Sequence, residues 1–351
     1  NGGNSGSWTT ANDWSPNGAP NSTLNCQIGS AFSVANFPNN TERACQNAIL
    51  QTRGALDWVN RSTRFSVYGS LSIGSNYSFN NAANGSISMK GPNDQSIISQ
   101  TNYPGDFDIS STGGIVSLDS DFRIDGDFTL TSGTFSVSSG YSLTVNGDVS
   151  INGGVFILNP GAKLILGNGA TVNVTPSGEL RIVGNSSQPV TVKSINNSSS
   201  YIVNINGSVS AKYYSFSNLG TNGVTINSGA TIDSTNQFSY GSFTHPRFNN
   251  STLLRLNRKI PTNTLNHMVF DSNGSSATNT QAISTNTSAG TLSVSNYTGD
   301  RTDDPFSTND PNYKVQWALA TNTLNLTRIS SGPTTVNQGE TVNMGSFGFT
   351  Q

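Results

Sequence analysis

The sequence predicts an all-β protein: a single-stranded, right-handed parallel β-helix of about 21 residues per coil, with a less regular β region towards its C-terminal end. Three observations carry that expectation. Asn, Ser, Thr and Gly supply 46, 53, 38 and 36 of the 351 residues, about half the chain. Glycine recurs every seven residues at Gly126, Gly133, Gly140, Gly147, Gly154 and Gly161. Between these glycines apolar and polar residues alternate, which is the period of a strand.

Composition narrows the class further. Hydrophobic residues make up 33% of the chain, against roughly 45–50% in ordinary globular domains. The dominant residue types are poor helix formers, so long helices are not expected. Charged residues are only 10% and aromatics 9%, the reverse of the high charge and low aromatic content of disordered chains. No apolar run approaches the roughly 20 residues of a transmembrane helix, so no membrane span is expected. Seventeen basic residues balance nineteen acidic ones, for a net charge of −2. That balance leaves no basic surface for a nucleic acid.

Taken in order, residues 1–25 read as an N-terminal cap, 26–250 as the β-helix, and 251–351 as an irregular β cap or the start of a further module. The chain opens at Asn1 rather than Met, as a processed segment does. Cys26 and Cys45, nineteen apart, either close a disulfide loop in an oxidising compartment or remain two unpaired thiols. The strongest evidence lies in 118–193. Phe122–Leu130 aligns with Leu143–Ile151 at a step of twenty-one, and Leu164 follows at the next step. Phe135, Val137, Tyr141, Leu143, Val145, Val149, Ile151, Val155 and Ile157 all fall on odd positions and are expected to share the inner face.

Glycine and Asn-Gly mark the corners. Three strands of about seven residues make a triangular coil, and stacked coils share one core. Parallel crossovers are right-handed by default. A β-sandwich accommodates the Asn-Gly turns but does not require a constant seven-residue step. The texture recurs at 65–74, 85–91, 224–232 and 238–243. Roughly ten coils at about 4.8 Å each make a rod on the order of 50 Å. Past residue 250 the strand-like pieces are unevenly spaced.

Residues 7–20 read Ser-Trp-Thr-Thr-Ala-Asn-Asp-Trp-Ser-Pro-Asn-Gly-Ala-Pro. Two tryptophans six apart, followed by Trp-Ser-x-x-Gly-x-Pro, resemble the opening of secreted bacterial cell-surface proteins. Those are the autotransporter and Bacteroidetes types, with pectin-lyase-like β-helices. The resemblance implies export and an extracellular or cell-surface location, with the first coils beginning near Cys26. Trp8 and Trp14 are then apolar caps on an open coil end; stacking on sugar rings is the alternative.

Chemistry-bearing residues are sparse. His245 and His267 have no companions at metal-ligand spacing, and no nucleophile elbow or phosphate loop is present. Asp119, Asp121, Asp125 and Asp127 alternate with apolar residues around Arg123, placing four carboxylates on one outward face. Asp106, Asp108 and Asp148 lie about one coil away. β-Helix enzymes acting on acidic polysaccharides use such a face to hold Ca²⁺, whereas a solvated face that discourages lateral aggregation has the same pattern. Asp300, Asp303, Asp304 and Asp310 form a second candidate Ca²⁺ loop, although Asp is also an ordinary turn residue. Sixteen Asn-x-Ser/Thr sequons barely exceed the roughly twelve this composition gives by chance, and they remain possible surface acceptors.

The reading carried forward is an exported structural or adhesive stalk, fibre or filament subunit without catalytic activity. Its partners are further copies, other surface proteins or glycans. The first alternative is a polysaccharide lyase or hydrolase, or a glycan-binding module, on the same fold. The second is a phage or virulence fibre.

Overall fold

A computed structural model describes residues 20–29, 33–37, 42–58, 63–82, 85–286, 289–300, 314–318, 325–327 and 333–335. The described residues are all-β, with no α-helix among them, and wind into a parallel β-solenoid of about 11 turns with about 23 residues per turn. No helix among the described residues is long and apolar enough to cross a membrane.

Three parallel ladders run along the solenoid. One starts at Cys45 and passes through Val67, Met89, Ile109, Leu130, Ile151, Val174, Ile205 and Ile226 to Leu256 and Thr285. A second starts at Cys26 and passes through Ala48, Leu71, Ile97, Leu118, Val137, Leu158 and Ile182 to Ala211. The third runs from Phe122 through Leu143, Leu164, Val192, Phe216 and Phe243 to Phe270. Inward residues of all three meet in one apolar core that extends from Cys26 to Val315. At about 4.8 Å per coil the rod is about 50 Å long.

The seven-residue glycine step is the three corners of one triangle. Gly126 and Gly147 follow the third ladder, Gly133 and Gly154 separate the first from the second, and Gly140 and Gly161 precede the third. The paired registers Phe122 with Leu143, Phe128 with Val149, and Leu143 with Leu164 match the step of twenty-one read from the sequence.

One expectation needs correction. Val155 and Ile157 do not join the inner face; Phe156 and Leu158 are buried in their place, and Tyr141 is 40% exposed. The cause is arithmetic. In a repeat of odd length, a residue and its counterpart one coil later have opposite parity, so the inward phase must invert once per coil. It inverts at the bend between the first and second ladders, where even-numbered Phe128 and Leu130 give way to odd-numbered Phe135 and Val137. Gly154 makes the same bend at φ 72°, and an added Cβ would lie 2.1 Å from the Gly133 carbonyl oxygen. A left-handed backbone and no room for a side chain together require glycine.

The ladders also continue beyond residue 250. Thr252–Leu256 pairs with Leu219–Ile226, Gln281–Thr285 pairs with Thr252–Leu256, and Leu292–Ser295 pairs with Val315–Ala318, all in parallel. The solenoid therefore runs past the expected boundary, with longer and less even coils. The change to antiparallel pairing comes later, between Asn325–Thr327 and Pro333–Thr335.

Cys26 and Cys45 form a disulfide with Cα atoms 5.7 Å apart. Both are buried in the first described coil. Trp8 and Trp14 lie outside the described residues, as do Asp303, Asp304 and Asp310.

Candidate functional site

The carboxylates of the middle coils face outward as the alternation implies, but each has a local task. Asp106 Oδ1 accepts the Asp127 backbone N–H at 2.9 Å, Asp127 Oδ1 accepts that of Asp148 at 2.8 Å, and Asp148 Oδ1 accepts that of Thr171 at 2.8 Å. This is a column in which each coil caps the corner of the next. Asp121 Oδ1 accepts the Ser142 N–H at 2.8 Å, and Asp119 Oδ1 accepts the Ser138 hydroxyl at 2.6 Å. Asp125 Oδ1 accepts Arg123 Nε and Asn146 Nδ2, both at 2.7 Å. The four are split between the two ends of the short strand Phe122–Ile124 rather than gathered. Among the described residues, no three His, Cys, Asp or Glu side chains converge on a point that holds a metal ion. Asp300 accepts both the backbone N–H and the hydroxyl of Ser272.

The residues that do converge lie at the corner leading into the third ladder, in three successive C-terminal coils. Tyr213 follows the strand Ser208–Lys212, Tyr240 precedes Gly241–Thr244, and His267 follows Thr264–Asn266. Each occupies one register position, because Tyr214 pairs with Gly241 and Ser242 pairs with Val269. Each also has a left-handed backbone, at φ 52°, 60° and 54°. The rings stack along the solenoid: Tyr213 to Tyr240 at 4.7 Å and 33°, Tyr240 to His267 at 4.6 Å and 7°. The Lys212 ammonium sits 5.6 Å from both tyrosine centroids.

Backbone hydrogen bonds fix the corner. Val190 N–H donates to the Tyr213 carbonyl at 3.0 Å, Tyr240 N–H to that of Asn266 at 2.7 Å, and His267 N–H to that of Ser295 at 3.0 Å. Beneath the corner, the phenol of buried Tyr214 fills the place a side chain at Gly241 would need, and donates to the Phe238 carbonyl at 2.8 Å. Burial pushes the Tyr214 phenol well above its ordinary pKa.

The ring column forms one wall of a groove of about 300 Å³. Its floor carries the outward side chains of Ser215, Ser242 and Val269, and its end is closed by Asn185, Ser186 and Pro189. That end loop is tied down, since Asn185 Oδ1 accepts the N–H groups of Ser187 and Gln188 at 3.0 and 2.8 Å. A second depression, of about 470 Å³, lies beside Ser228, Asn257, Arg258 and Lys259; Arg258 Nη1 already donates to the Ser228 carbonyl.

Of the described residues that the sequence put forward, His267 lines the groove, where it stacks rather than ligates, and so does Asn185 of the Asn185-Ser186-Ser187 sequon. Tyr213 and Tyr240 were not foreseen. Their signal is a 27-residue step: Tyr213-Tyr-Ser-Phe216, Tyr240-Gly-Ser-Phe243 and His267-Met-Val-Phe270. The same step stacks Phe216, Phe243 and Phe270 in the core, at 5.5 and 5.4 Å.

Fold and surface together define a disulfide-stapled β-solenoid with a ring-walled groove at one corner. No family model matches the chain, and no curated protein or solved structure matches it.

Proposed function

We propose that the chain is a structural and adhesive rod of an exported cell-surface protein, acting without catalysis. One observation carries this reading: the core is continuous from Cys26 to Val315, beneath ladders that repeat the same pairing coil after coil. Every strand of such a ladder is held by the coils before and after it, so a load or a contact at one coil is shared with its neighbours. The coat of Asn, Ser and Thr, with little charge, suits a durable surface in changing ionic conditions. The disulfide supports an oxidising compartment.

The test pairs shape with chemistry. Negative-stain electron microscopy at rising concentration is expected to show rods about 50 Å long, joining end to end as concentration rises. A polysaccharide panel is expected to release no new reducing ends or unsaturated sugars. Turnover that disappears when a surface carboxylate is replaced overturns the reading.

A further inference from the structure

We infer that the Tyr213–Tyr240–His267 groove binds a linear saccharide chain laid along the solenoid axis. The inference deepens the adhesive half of the reading above by naming what the rod would hold.

The first argument is conformational. A non-glycine residue in the left-handed region is uncommon, and for a bulky residue it is an outlier. Of the eleven other left-handed non-glycine positions among the described residues, eight are Asn, including Asn296, one coil beyond His267, and the remaining three are Arg53, Phe238 and His245. Asn is the non-glycine residue that tolerates this backbone most readily. Two tyrosines and a histidine at one register position of three successive coils therefore concentrate in one column a choice that the chain makes only singly elsewhere among the described residues. Stacking and the neighbouring ammonium offset part of the strain. They do not explain why the rings are set on the surface, where Tyr213 and Tyr240 are half-buried and His267 is exposed.

The second argument is the chemistry of the lining. Two phenols, an imidazole, the Asn185 amide and the hydroxyls of Ser186, Ser215 and Ser242 present donors and acceptors side by side. Ring edges, Pro189 and Val269 supply apolar surface among them. A ligand rich in hydroxyls, with C–H faces between them, uses both kinds of surface. No carboxylate lines the groove, and Lys212 at its wall leaves a place for a uronate.

The third argument is period. The groove repeats its ring at 4.6–4.7 Å, one rung per coil. A linear polymer of cyclic units meets a ring at each of three steps, Tyr213, Tyr240 and His267, beside Ser215, Ser242 and Val269 in turn. An extended peptide is a poorer fit, because strand addition needs unpaired backbone groups and the Tyr240 and His267 N–H groups are already taken by Asn266 and Ser295. A nucleic acid needs a basic track, and the only basic group in contact with the rings among the described residues is Lys212.

The test is affinity electrophoresis of the full chain in native gels cast separately with β-glucan, xylan, galactomannan and alginate. At least one polymer is expected to retard the protein. Tyr213→Asn and Tyr240→Asn keep a residue suited to the backbone and are expected to weaken retardation about tenfold, the equivalent of one good aromatic contact. Ser242→Tyr leaves the corner untouched and fills the floor, so it reports on the groove even if a corner variant unfolds; it is expected to abolish retardation. Tyr141→Ser, which removes an exposed ring elsewhere, is expected to change nothing. No retardation by any polymer, or equal retardation of the wild type and Ser242→Tyr, overturns the inference. Either result leaves the rod and the absence of turnover to be judged by microscopy and the product screen.

Discussion

The coils from Asp106 to Leu166 and those from Val190 to Ser295 build the same kind of parallel ladder with opposite corner chemistries. In the middle the step is mostly 20 or 21 residues, the bends are glycines, and aspartates cap one coil from the next. In the C-terminal coils the step is mostly 27–30 residues, and the left-handed positions are filled mainly by Asn, Tyr and His, with Phe238 and the glycines Gly223, Gly274 and Gly290 besides. The core differs too. Val, Leu and Ile around a Phe107–Phe122 pair and a cluster of Phe128, Phe135 and Phe156 fill the middle, whereas Phe216, Phe243 and Phe270 form a continuous stack further on. Ladder geometry therefore constrains the strands and leaves the corners free. Short glycine corners give a regular and chemically plain surface. Longer corners have room for a loop such as 184–189 and for side chains that face a ligand.

The comparison breaks most visibly at high pH. Tyr77 and Tyr103 are buried towards the N-terminal end and Tyr201 and Tyr214 towards the C-terminal end, while the middle coils have only exposed Tyr141. Burial raises all four buried phenols well above the ordinary value of 10.0, with Asp106 adding a charge contribution at Tyr103. A raised folded-state pKa means the stabilisation is complete below pH 10 and is lost as the pH climbs above it. Each phenol then costs about 1.4 kcal/mol per pH unit. Amide hydrogen exchange above pH 10 is expected to show both ends opening before the middle; uniform opening contradicts this.

Corner substitutions are the next largest effect. Gly154→Ala forces φ 72° on a residue with a Cβ and drives that atom to within 2.1 Å of the Gly133 oxygen. Left-handed strain and overpacking together are expected to cost about 3–4 kcal/mol in urea unfolding. Asn263→Gly, at φ 57° in a C-terminal coil, is expected to stay within about 0.5 kcal/mol. Equal losses at the two sites would show that the corners are not chemically distinct.

The disulfide sharpens the same contrast at the N-terminal end. Cys26 and Cys45 enclose one coil, with a separation of nineteen residues. A loop of that length is worth about 3 kcal/mol in the chain-entropy account. Because each coil touches mainly its neighbours, reduction or Cys26→Ser is expected to speed exchange in the first coils and leave Leu143 and Val145 protected. Loss of protection throughout would indicate a rod that unfolds as one unit.

The unequal corners also explain what the sequence disclosed. The middle coils were legible down to their register, because an odd, constant repeat and unavoidable glycines leave marks in the chain itself. Val155 and Ile157 read as inward only when alternation is extended through Gly154, where the phase inverts and Phe156 and Leu158 take the inner face. The C-terminal coils were under-read because a step that varies from coil to coil hides periodicity, although Phe216, Phe243 and Phe270 preserve it at 27. The groove was missed for a related reason. Tyr213, Tyr240 and His267 are far apart in sequence and mean nothing singly; only the register brings them into one column. The aspartates were conspicuous, and their hydrogen bonds give them a capping task that a sequence cannot distinguish from ion binding.

That capping task provides the smallest and most discriminating test. Asp127 both receives and gives: its N–H is held by Asp106 and its carboxylate holds the N–H of Asp148. Asp127→Ala leaves the Asp148 N–H to water and is expected to cost about 1 kcal/mol, as the loss of a helix cap does. Asp127→Asn keeps an acceptor oxygen in place and is expected to recover most of that loss. A site whose purpose is to concentrate charge for a cation behaves oppositely. Removing one of its carboxylates relieves repulsion, so in the absence of Ca²⁺ both variants would be more stable than the wild type, and added Ca²⁺ would reverse the order. Thermal unfolding of the three proteins, with and without Ca²⁺, therefore separates a column of caps from an ion site by the sign of a single difference.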